Sequence, residues 1–254
     1  MKISENGMLK NERHAFILKQ INLHNKVLST QLSTQLEVSE DTVRRDLTEL
    51  AEAGLILKVH GGALSRSYHY AVQQSFVYSQ EKKKIIAGKA VKLIKDEMVI
   101  LTAGGTTMIE MIQLIPDKLE ATFFTVSPLM ALLLAKRPLI TVILLGGEID
   151  HSAQITMGEK TISELSEIKV DLCLLGANGI NPKAGLTEVD WRIAQIKKAM
   201  INCSSKLAVV TISEKLNSEH KMHLCNVNKI DYLVTELAPE DKMLADFDKN
   251  TRIL

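Results

Sequence analysis

Apolar residues recur at helical spacing three times within the first sixty positions, and each recurrence predicts a short helix. The first helix begins near Glu12, and the second covers about 29–36. In the third, Val43, Leu47 and Leu50 stand at i, i+4 and i+7, which places them on one face. The pattern therefore predicts a small three-helix unit whose apolar faces share one core.

Polar and glycine residues mark where the third helix starts and stops. Ser39 is suited to cap its beginning, because a serine hydroxyl can accept a hydrogen bond from a backbone N–H of the first turn. Gly54 ends the helix, residues 55–59 form a predicted strand, and Gly61-Gly62 predicts the tight turn that follows. Helix, turn, helix and β-ribbon in this order favour a winged helix-turn-helix.

A different pattern begins after residue 64. Residues 65–80 lose all periodicity and are rich in Ser, Tyr and Gln, which predicts a linker between a domain over 1–64 and a domain over 81–254. Beyond the linker, short apolar runs alternate with amphipathic stretches. The runs are 98–101, 122–126, 140–145, 172–175, 207–210 and 232–234, and the amphipathic stretches are 106–114, 129–135, 160–167 and 191–203. Such alternation is typical of an α/β domain with a mostly parallel sheet and helices on both faces.

Composition narrows the class of protein without identifying it. The 254 residues are 46% hydrophobic and 24% charged, as in ordinary folded proteins, and the net charge is +1. No apolar run is long enough to cross a bilayer, and the first residues lack the apolar core of a signal peptide, so a cytoplasmic protein is expected. The three cysteines match no zinc or redox spacing, and the seven histidines are not grouped as ligands. We predict neither a metal nor a cofactor.

The start of the third helix carries groups that suit the major groove of DNA. Thr42, Arg44 and Arg45 lie off the apolar face, and arginine can bind guanine bidentately or contact a phosphate. The alternative is that both arginines are ordinary solvated charges, paired with carboxylates of the same helix. The order of elements around them favours DNA contact. The predicted DNA-binding residues are Ser39, Glu40, Asp41, Thr42, Arg44, Arg45, Lys58 and His60.

Three glycine-bearing loops follow apolar runs in the second domain, at Gly104-Gly105, Gly146-Gly147 and 176–179. A glycine loop between a strand and a helix lets backbone N–H groups converge on an anion, with the positive end of the helix behind them. Glycine also serves tight turns, so a single loop of this kind is weak support for a binding site. Three such loops after successive strands support ligand binding about as well as turn formation, or slightly better.

Both domains resemble the DeoR/GlpR family of bacterial regulators. The first domain carries VS-x-x-TVRRDL (38–47), LAEAGLI (50–56) and VHGGA (59–63), which resemble the family's DNA-binding domain. In the second, LTAGGTT, TVSP, ILLGGE, LGANGI, GLT, KKAM and SEK follow in the order of the family's sensor domain. The resemblance covers about 13–235 and implies a helix-turn-helix over about 27–46. It also implies a second domain that is similar to ribose-phosphate isomerases and coenzyme A transferases and that typically binds a phosphorylated sugar.

Carried across by position, the resemblance implies effector contacts from several loops of the second domain. The implied residues are Gly104, Gly105, Thr106, Thr107, Ser127, Gly146, Gly147, Asn178, Lys197 and Lys215. The chain departs from the family pattern at Ala103 and Val126, and it has Thr102, Asn178 and Ile212 where acidic residues are usual. Because carboxylates accept protons and bind hydroxyls, their replacement argues against isomerase chemistry.

Together these observations predict a DNA-binding transcription regulator that is not an enzyme. We expect a repressor of a sugar or sugar-derivative catabolic operon, released or modulated by a phosphorylated sugar. It is expected to bind operator DNA as a homodimer or larger homo-oligomer, with no membrane partner. Two alternatives stay open: a constitutive DNA-binding protein whose α/β domain only oligomerises, and a sugar-phosphate isomerase-like enzyme with a DNA-binding appendage.

Overall fold

The computed structural model describes residues 8–24, 26–65, 78–150, 153–247 and 250–254. These residues divide into two units, and the second unit begins at Ser79. Each unit has a hydrophobic core of its own. Most of the predicted linker lies outside the described residues.

Three helices and a small antiparallel sheet form the first unit. The helices are α1 (Lys10–His24), α2 (Ser29–Leu36) and α3 (Glu40–Glu52), and the strands are β1 (Lys26–Leu28), β2 (Ile56–Val59) and β3 (Gly62–Ser65). The sheet order is β1-β3-β2. The predicted winged helix-turn-helix is confirmed. Strand β1 was not predicted, because three residues are too few to show a period.

The core of the first unit is built from the apolar faces of all three helices. Ile17 and Ile21 of α1, Leu32 of α2, and Val43 and Leu47 of α3 are buried almost completely. Burying one such side chain contributes about 1.5–3 kcal/mol relative to leaving it exposed. The two helices of the helix-turn-helix are therefore held against α1 by ordinary core packing.

The hairpin between β2 and β3 depends on its two glycines. Gly61 has a φ of +75°, a left-handed conformation that glycine adopts without steric conflict. Gly62 pairs with Leu28, and a Cβ at Gly62 would lie 2.0 Å from the carbonyl oxygen of Val27. The first glycine thus turns the chain, and the second lets β1 pack directly beside the hairpin.

A seven-stranded, entirely parallel sheet forms the centre of the second unit. Its strands are β4 (Val99–Thr102), β5 (Ala121–Thr125), β6 (Ile140–Leu144), β9 (Val170–Gly176), β12 (Ser204–Val210), β14 (Tyr232–Val234) and β15 (Arg252–Ile253). They stand in the order β15-β14-β12-β9-β4-β5-β6. The predicted α/β domain with a mostly parallel sheet is confirmed.

Helices and shorter strands surround this sheet. The helices are α4 (Gln80–Ala90), α5 (Thr106–Gln113), α6 (Pro128–Leu134), α7 (Glu159–Ser166) and α8 (Trp191–Asn202). The strands β7 (Glu148–Ile149) and β8 (Thr156–Met157) form a hairpin, and β10 (Gly179–Asn181), β11 (Gly185–Glu188) and β13 (Met222–Cys225) form an antiparallel sheet. In the described residues, 3₁₀ turns lie at Val91–Leu93, Ser213–Lys215, Val227–Lys229 and Lys242–Leu244.

The middle strands of the large sheet are buried along almost their whole length. Leu101 of β4, Cys173 and Leu174 of β9, and Val209 of β12 have no exposed surface. Near-continuous apolar runs of this kind are typical of parallel strands that are covered on both faces. None of the helices in the described part of the chain has both the length and the apolar character needed to span a bilayer.

Candidate functional site

The start of α3 is set by Ser39, as the sequence predicts. The Ser39 backbone is extended (φ −64°, ψ 151°), and its hydroxyl accepts a hydrogen bond from the Thr42 N–H at 3.2 Å. From there Val43, Leu47 and Leu50 run along the buried face of the helix. The opposite face at this end of α3 is open to solvent.

Arg44 and Arg45 both lie on that exposed face. Arg44 makes two local ion pairs, with Glu40 at 3.4 Å and with Asp41 at 3.6 Å, while 61% of its side chain stays exposed. Arg45 forms no ion pair with any residue that the structure describes. An exposed ion pair contributes about 0–1 kcal/mol to stability. A DNA phosphate or base can therefore replace the two carboxylates paired with Arg44 at little cost in free energy.

The buried face of α3 also carries Asp46, which sequence analysis missed. Asp46 is 2% exposed and accepts hydrogen bonds from Arg13 Nε at 2.8 Å, Arg13 Nη2 at 3.1 Å and the His14 ring at 3.1 Å. Burial alone would raise the pKa of Asp46, but Arg13 and His14 together lower it below its ordinary value. As an ionised carboxylate, Asp46 ties α3 to α1. Its position between Val43 and Leu50 on the apolar stripe was the available signal.

The wing carries two further predicted residues, of which Lys58 lies near α3. Lys58 of β2 donates a hydrogen bond from Nζ to Thr48 Oγ1 at 2.5 Å, and its side chain is otherwise exposed. His60 is exposed in the turn between β2 and β3. Lys58 therefore lies beside α3 about one turn beyond Arg44, whereas His60 stands at the tip of the wing.

The predicted effector residues follow neighbouring strands of the large sheet. Lys215 follows β12, Asn178 follows β9, the Gly104–Thr107 loop follows β4, and Ser127 follows β5. These four strands are adjacent and parallel, so their carboxyl ends meet at one edge of the sheet. Gly146 and Gly147 follow β6 at the same edge, and Lys197 belongs to α8.

The Gly104–Thr107 loop leaves open space in front of α5. Gly105 has a φ of +130° directly before the helix, and a Cβ built there would meet nothing within 4 Å. At Gly104 a Cβ would lie 3.2 Å from Ser127 Oγ, so this loop and the loop after β5 approach closely. Thr106 and Thr107 open the helix and are partly exposed. Free space at a helix N-terminus suits a small anion.

Ser127, Gly146 and Gly147 have structural tasks of their own. Ser127 Oγ accepts a hydrogen bond from the first turn of α6 at 3.4 Å. The Gly146 N–H donates to Glu164 at 2.7 Å, so this amide is already engaged. Gly147 has a φ of +147°, and a Cβ there would lie 2.2 Å from Thr161 Oγ1. Close packing against α7 accounts for both glycines, and their contact with an effector stays a prediction.

A buried ion pair joins two of the predicted effector residues. Lys197 Nζ donates to Glu188 Oε2 at 2.5 Å and to the Gly176 carbonyl at 3.2 Å. The other oxygen of Glu188 accepts from the Asn178 side-chain amide and, at 2.8 Å, from the Val189 N–H. Glu188 is 1% exposed and Lys197 is 9% exposed. Asn178 and Lys197 therefore converge on a carboxylate that sequence analysis did not include.

The charges around this pair shift the pKa values of their neighbours. Burial alone would raise the pKa of Glu188, but the charge and hydrogen bonds of Lys197, with Val189 and Asn178, lower it. Burial, reinforced by the positive charge of Lys197, lowers the pKa of Lys215 to about 8. The inference that this site had lost its carboxylates is therefore incomplete, because Glu188 supplies one. Its place directly after the GLT motif was the signal that could have found it.

The remaining cysteines and histidines form no further site in the part of the chain that the structure describes. No group of three or more His, Cys, Asp or Glu there is arranged to hold a metal. Burial raises the pKa of Cys203 and of Cys225 to about 11, and it raises that of Cys173 well above its ordinary value. All three cysteines are free thiols that stay protonated at neutral pH.

Comparison with known proteins matches both units. Residues 13–68 match the family model described as DeoR-like helix-turn-helix domain, and residues 78–237 match the DeoR C terminal sensor domain. The chain is 31% identical over 248 residues to the HTH-type transcriptional repressor GlcR of Bacillus subtilis, covering 96% of this chain and 95% of that protein. It is 27% identical over 234 residues to the glycerol-3-phosphate regulon repressor of Escherichia coli, covering 91% and 93%.

One solved structure is distantly similar to this chain. Ribose 5-phosphate isomerase A of Methanocaldococcus jannaschii is 21% identical, with 54% of this chain and 55% of that chain covered and a TM-score of 0.40. A similarity this distant carries no argument about activity or ligand.

Proposed function

The chain belongs to the DeoR family of DNA-binding transcriptional regulators, and from this membership we propose that it represses a sugar or sugar-derivative catabolic operon under the control of a phosphorylated sugar. The first unit binds operator DNA, and the second binds the sugar phosphate. The names of two relatives support this proposal, since one is a repressor and the other is the repressor of the glycerol-3-phosphate regulon. A regulator of this kind works in the cytoplasm, where its operator lies.

The observation that carries the DNA-binding part is the exposed face at the start of α3. Arg44 and Arg45 stand there with only weak surface pairing, opposite a face that is packed and anchored through Asp46. A packed helix with exposed arginines at its N-terminal end suits the major groove, where arginine binds guanine O6 and N7. Thr42, Ser39, Glu40 and Asp41 share this end of the helix, and Lys58 and His60 on the wing suit neighbouring phosphates.

Two copies are needed for the affinity that an operator site requires. A single recognition helix contacts only a few base pairs, and helix-turn-helix readers bind half-sites about 34–36 Å apart as dimers. We assign the pairing of readers to the second unit, in a homodimer or a larger homo-oligomer. Linking two readers raises operator affinity by roughly 100-fold or more without new contacts in either one.

The effector part of the proposal rests on the carboxyl edge of the large sheet. The open space before α5, lined by Gly104, Gly105, Thr106 and Thr107, suits a phosphate. Lys215 follows β12, whose carboxyl end lies at the same edge of the sheet. The cluster of Asn178, Glu188 and Lys197 offers polar groups for the hydroxyls of the sugar. Binding that differs between the DNA-competent state and its alternative shifts the balance between them.

An isomerase is the second candidate, because Glu188 places a carboxylate beside Lys197 in this site. A general base needs an oxygen that is free to accept a proton, with a pKa near the working pH. Both oxygens of Glu188 accept hydrogen bonds, and its pKa is lowered instead of raised. We therefore expect no turnover of ribose 5-phosphate when the full chain is assayed for aldose–ketose isomerisation.

The proposal is tested by combining operator selection with a melting screen. The full chain first selects an operator from random duplex DNA, and it is then melted with glycerol 3-phosphate, ribose 5-phosphate, glucose 6-phosphate and their unphosphorylated counterparts. At about a hundred times its dissociation constant, a true effector adds about 2.7 kcal/mol, which raises the melting temperature by about 5–10 °C. The same compound should change operator affinity in a gel shift.

Each outcome of this screen favours one function. Failure to select any operator contradicts the repressor. Operator binding that responds to no phosphorylated sugar favours the constitutive DNA-binding protein, and measurable isomerisation favours the enzyme. Gly105→Val fills the open space and opposes the positive φ, so it should abolish the melting shift.

A further inference from the structure

The two edges of the large sheet differ in how they are protected. Strand β15 forms one edge, and it has only two residues, of which Arg252 is charged and exposed. Strand β6 forms the other edge with five residues, Ile-Thr-Val-Ile-Leu, and none of them is charged. Edge strands are usually short, charged or interrupted by proline, because their unpaired backbone groups can pair with another strand. By this criterion β15 is a protected edge and β6 is not.

The backbone of β6 has hydrogen-bonding groups on its outer side. Among the residues that the structure describes, β6 pairs with β5 alone. The N–H of Leu145, directly after the strand, donates to the Thr125 carbonyl at 2.9 Å. Since the backbone groups of successive residues point to opposite sides of a strand, those of Val142 and Leu144 point away from β5. Each of these two residues therefore presents one donor and one acceptor at the edge.

Apolar side chains accompany these backbone groups. Leu139, Ile143 and Leu144 are each at least 39% exposed. Leu132 of α6, the helix that packs against β6, is more exposed still. Single exposed apolar residues are ordinary, but a group of them on neighbouring elements is typical of a protein–protein interface. The β6 edge thus combines outward backbone groups with an apolar surface.

An antiparallel copy of the same strand is complementary to this edge. In a two-fold dimer the same surface of each copy meets its equivalent, so the surface has to be complementary to itself. With the two-fold axis at Ile143, Val142 lies opposite the partner's Leu144, and these residues exchange their outward donors and acceptors. Ile143 then lies opposite the partner's Ile143, in the closely spaced kind of pair that exchanges no hydrogen bonds.

We propose that β6 pairs antiparallel with β6 of a second copy of this chain, which joins the two seven-stranded sheets across a two-fold axis. This inference rests on the proposed function, which assigns the pairing of DNA readers to the second unit, and it names the surface that pairs. A second copy is the occupant because the outward donors and acceptors are complementary to themselves, and because helix-turn-helix readers bind paired half-sites.

Opposite charges at Ile143 test both the surface and the register. In sedimentation of the full chain, Ile143→Lys and Ile143→Glu should each weaken self-association about a hundredfold or more, since two like charges then face each other. An equimolar mixture of the two variants should associate again, because lysine then lies opposite glutamate. Ile85→Lys is the matched control, since Ile85 is an exposed isoleucine of α4, and it should associate as wild type does.

A disulfide provides a second measurement of the same register. The Cα atoms of a closely spaced antiparallel pair are about 4.5 Å apart, which lies within the range that a disulfide spans. Mild oxidation should therefore link two copies of Ile143→Cys. Wild type should stay unlinked, because Cys173 and Cys225 are buried and Cys203 is partly buried.

The outcomes separate this inference from the proposed function. If the Ile143 variants associate as wild type does and Ile143→Cys is not linked, the β6 interface is overturned and the pairing of readers stands. Dissociation that the mixture does not reverse, without a disulfide in Ile143→Cys, overturns the antiparallel pairing. A monomeric wild type at concentrations that saturate its operator overturns both. Because Ile143 is exposed, circular dichroism of the variants should match wild type, which shows that dissociation does not reflect unfolding.

Discussion

Asp46 in the first unit and Lys83 in the second are ionisable side chains within a buried apolar stripe of a helix, and the two differ in the charges around them. Asp46 interrupts the stripe of α3, and Lys83 interrupts that of α4. Arg13 and His14 bond directly to Asp46 and lower its pKa, which stabilises the charged form. Burial, followed by the charge of Lys215, lowers the pKa of Lys83 to about 7, which favours the neutral form. A nearby opposite charge thus stabilises the ionised form of a buried side chain, whereas a nearby like charge destabilises it.

The largest expected effect comes from neutralising a carboxylate anchor in either unit. Glu188→Gln leaves Lys197 buried and charged without its partner, and we expect a loss of about 3–5 kcal/mol in unfolding free energy. Asp46→Asn should be less harmful, because 15% of the Arg13 side chain is exposed and water can solvate it in part. Denaturation followed by the fluorescence of Trp191, the single tryptophan, reports on the second unit, and hydrogen exchange of α1 and α3 reports on the first.

The pH dependence of stability provides a control for the two carboxylates, Asp46 and Glu188. The pKa values of Asp46 and Glu188 are lowered in the folded protein, so the stabilisation is complete above their unfolded values near 4 and is lost as the pH falls through the folded values. Wild type should therefore lose stability between about pH 5 and 2 more steeply than either variant. Parallel acid curves for wild type and Glu188→Gln would contradict an ionised Glu188.

Lys83→Met should have the opposite sign, since it removes a disfavoured charge. Between pH 7 and 10.5 the unfolded chain holds a proton on Lys83 that the folded chain releases, so wild-type stability rises with pH across this window. At pH 7, without any anion, Lys83→Met should be more stable by about 2–4 kcal/mol, a gain of about 5–15 °C in melting temperature. The gain should disappear near pH 10.5. A destabilised Lys83→Met would show that the contacts of the Lys83 ammonium outweigh the cost of burying it.

Recognition arginines should affect DNA binding and leave stability unchanged. Arg44→Ala or Arg45→Ala should weaken operator binding by about 1–3 kcal/mol where the arginine reads a base, because both side chains are exposed before binding. The unfolding free energy should stay within about 0.5 kcal/mol of wild type. Gel shifts at fixed salt on operator and on scrambled DNA measure the effect. Wild-type operator affinity in both variants would contradict the proposed contact of these α3 arginines with DNA.

The smallest expected effect belongs to the wing. Lys58→Ala removes one phosphate contact, so it should weaken binding to operator and scrambled DNA alike, by less than about 1 kcal/mol at moderate salt. The slope of log affinity against log salt should shrink by about 0.9. A loss confined to the operator would instead indicate that Lys58 reads a base.

Helices and strands that contain several apolar residues could be predicted from the sequence. The bounds of the strands, and the shortest strands, depend on which strands pair with each other. The apolar parts of β9 and β12 were predicted, but Val170 and Ser204 extend the two strands at their start, because these residues pair with each other across the sheet. The short strands β1, β10 and β15 have two or three residues, which is too few for a period. Asp46 and Lys83 were missed because each stands at a core position of a helix, where a pattern shows only a polar interruption. The charges that shift the pKa of each residue belong to other elements.

The placement of Asp46 next to Arg45 has a consequence for the diversification of such regulators. Consecutive residues on a helix point about 100° apart, so the anchor and the reading side chain are neighbours in sequence but face α1 and solvent respectively. Substitutions at Thr42, Arg44 or Arg45 can change the preferred operator without disturbing the fold, as long as Asp46 is kept. A library that varies these three positions on this scaffold should yield regulators with new DNA targets, most of which remain folded.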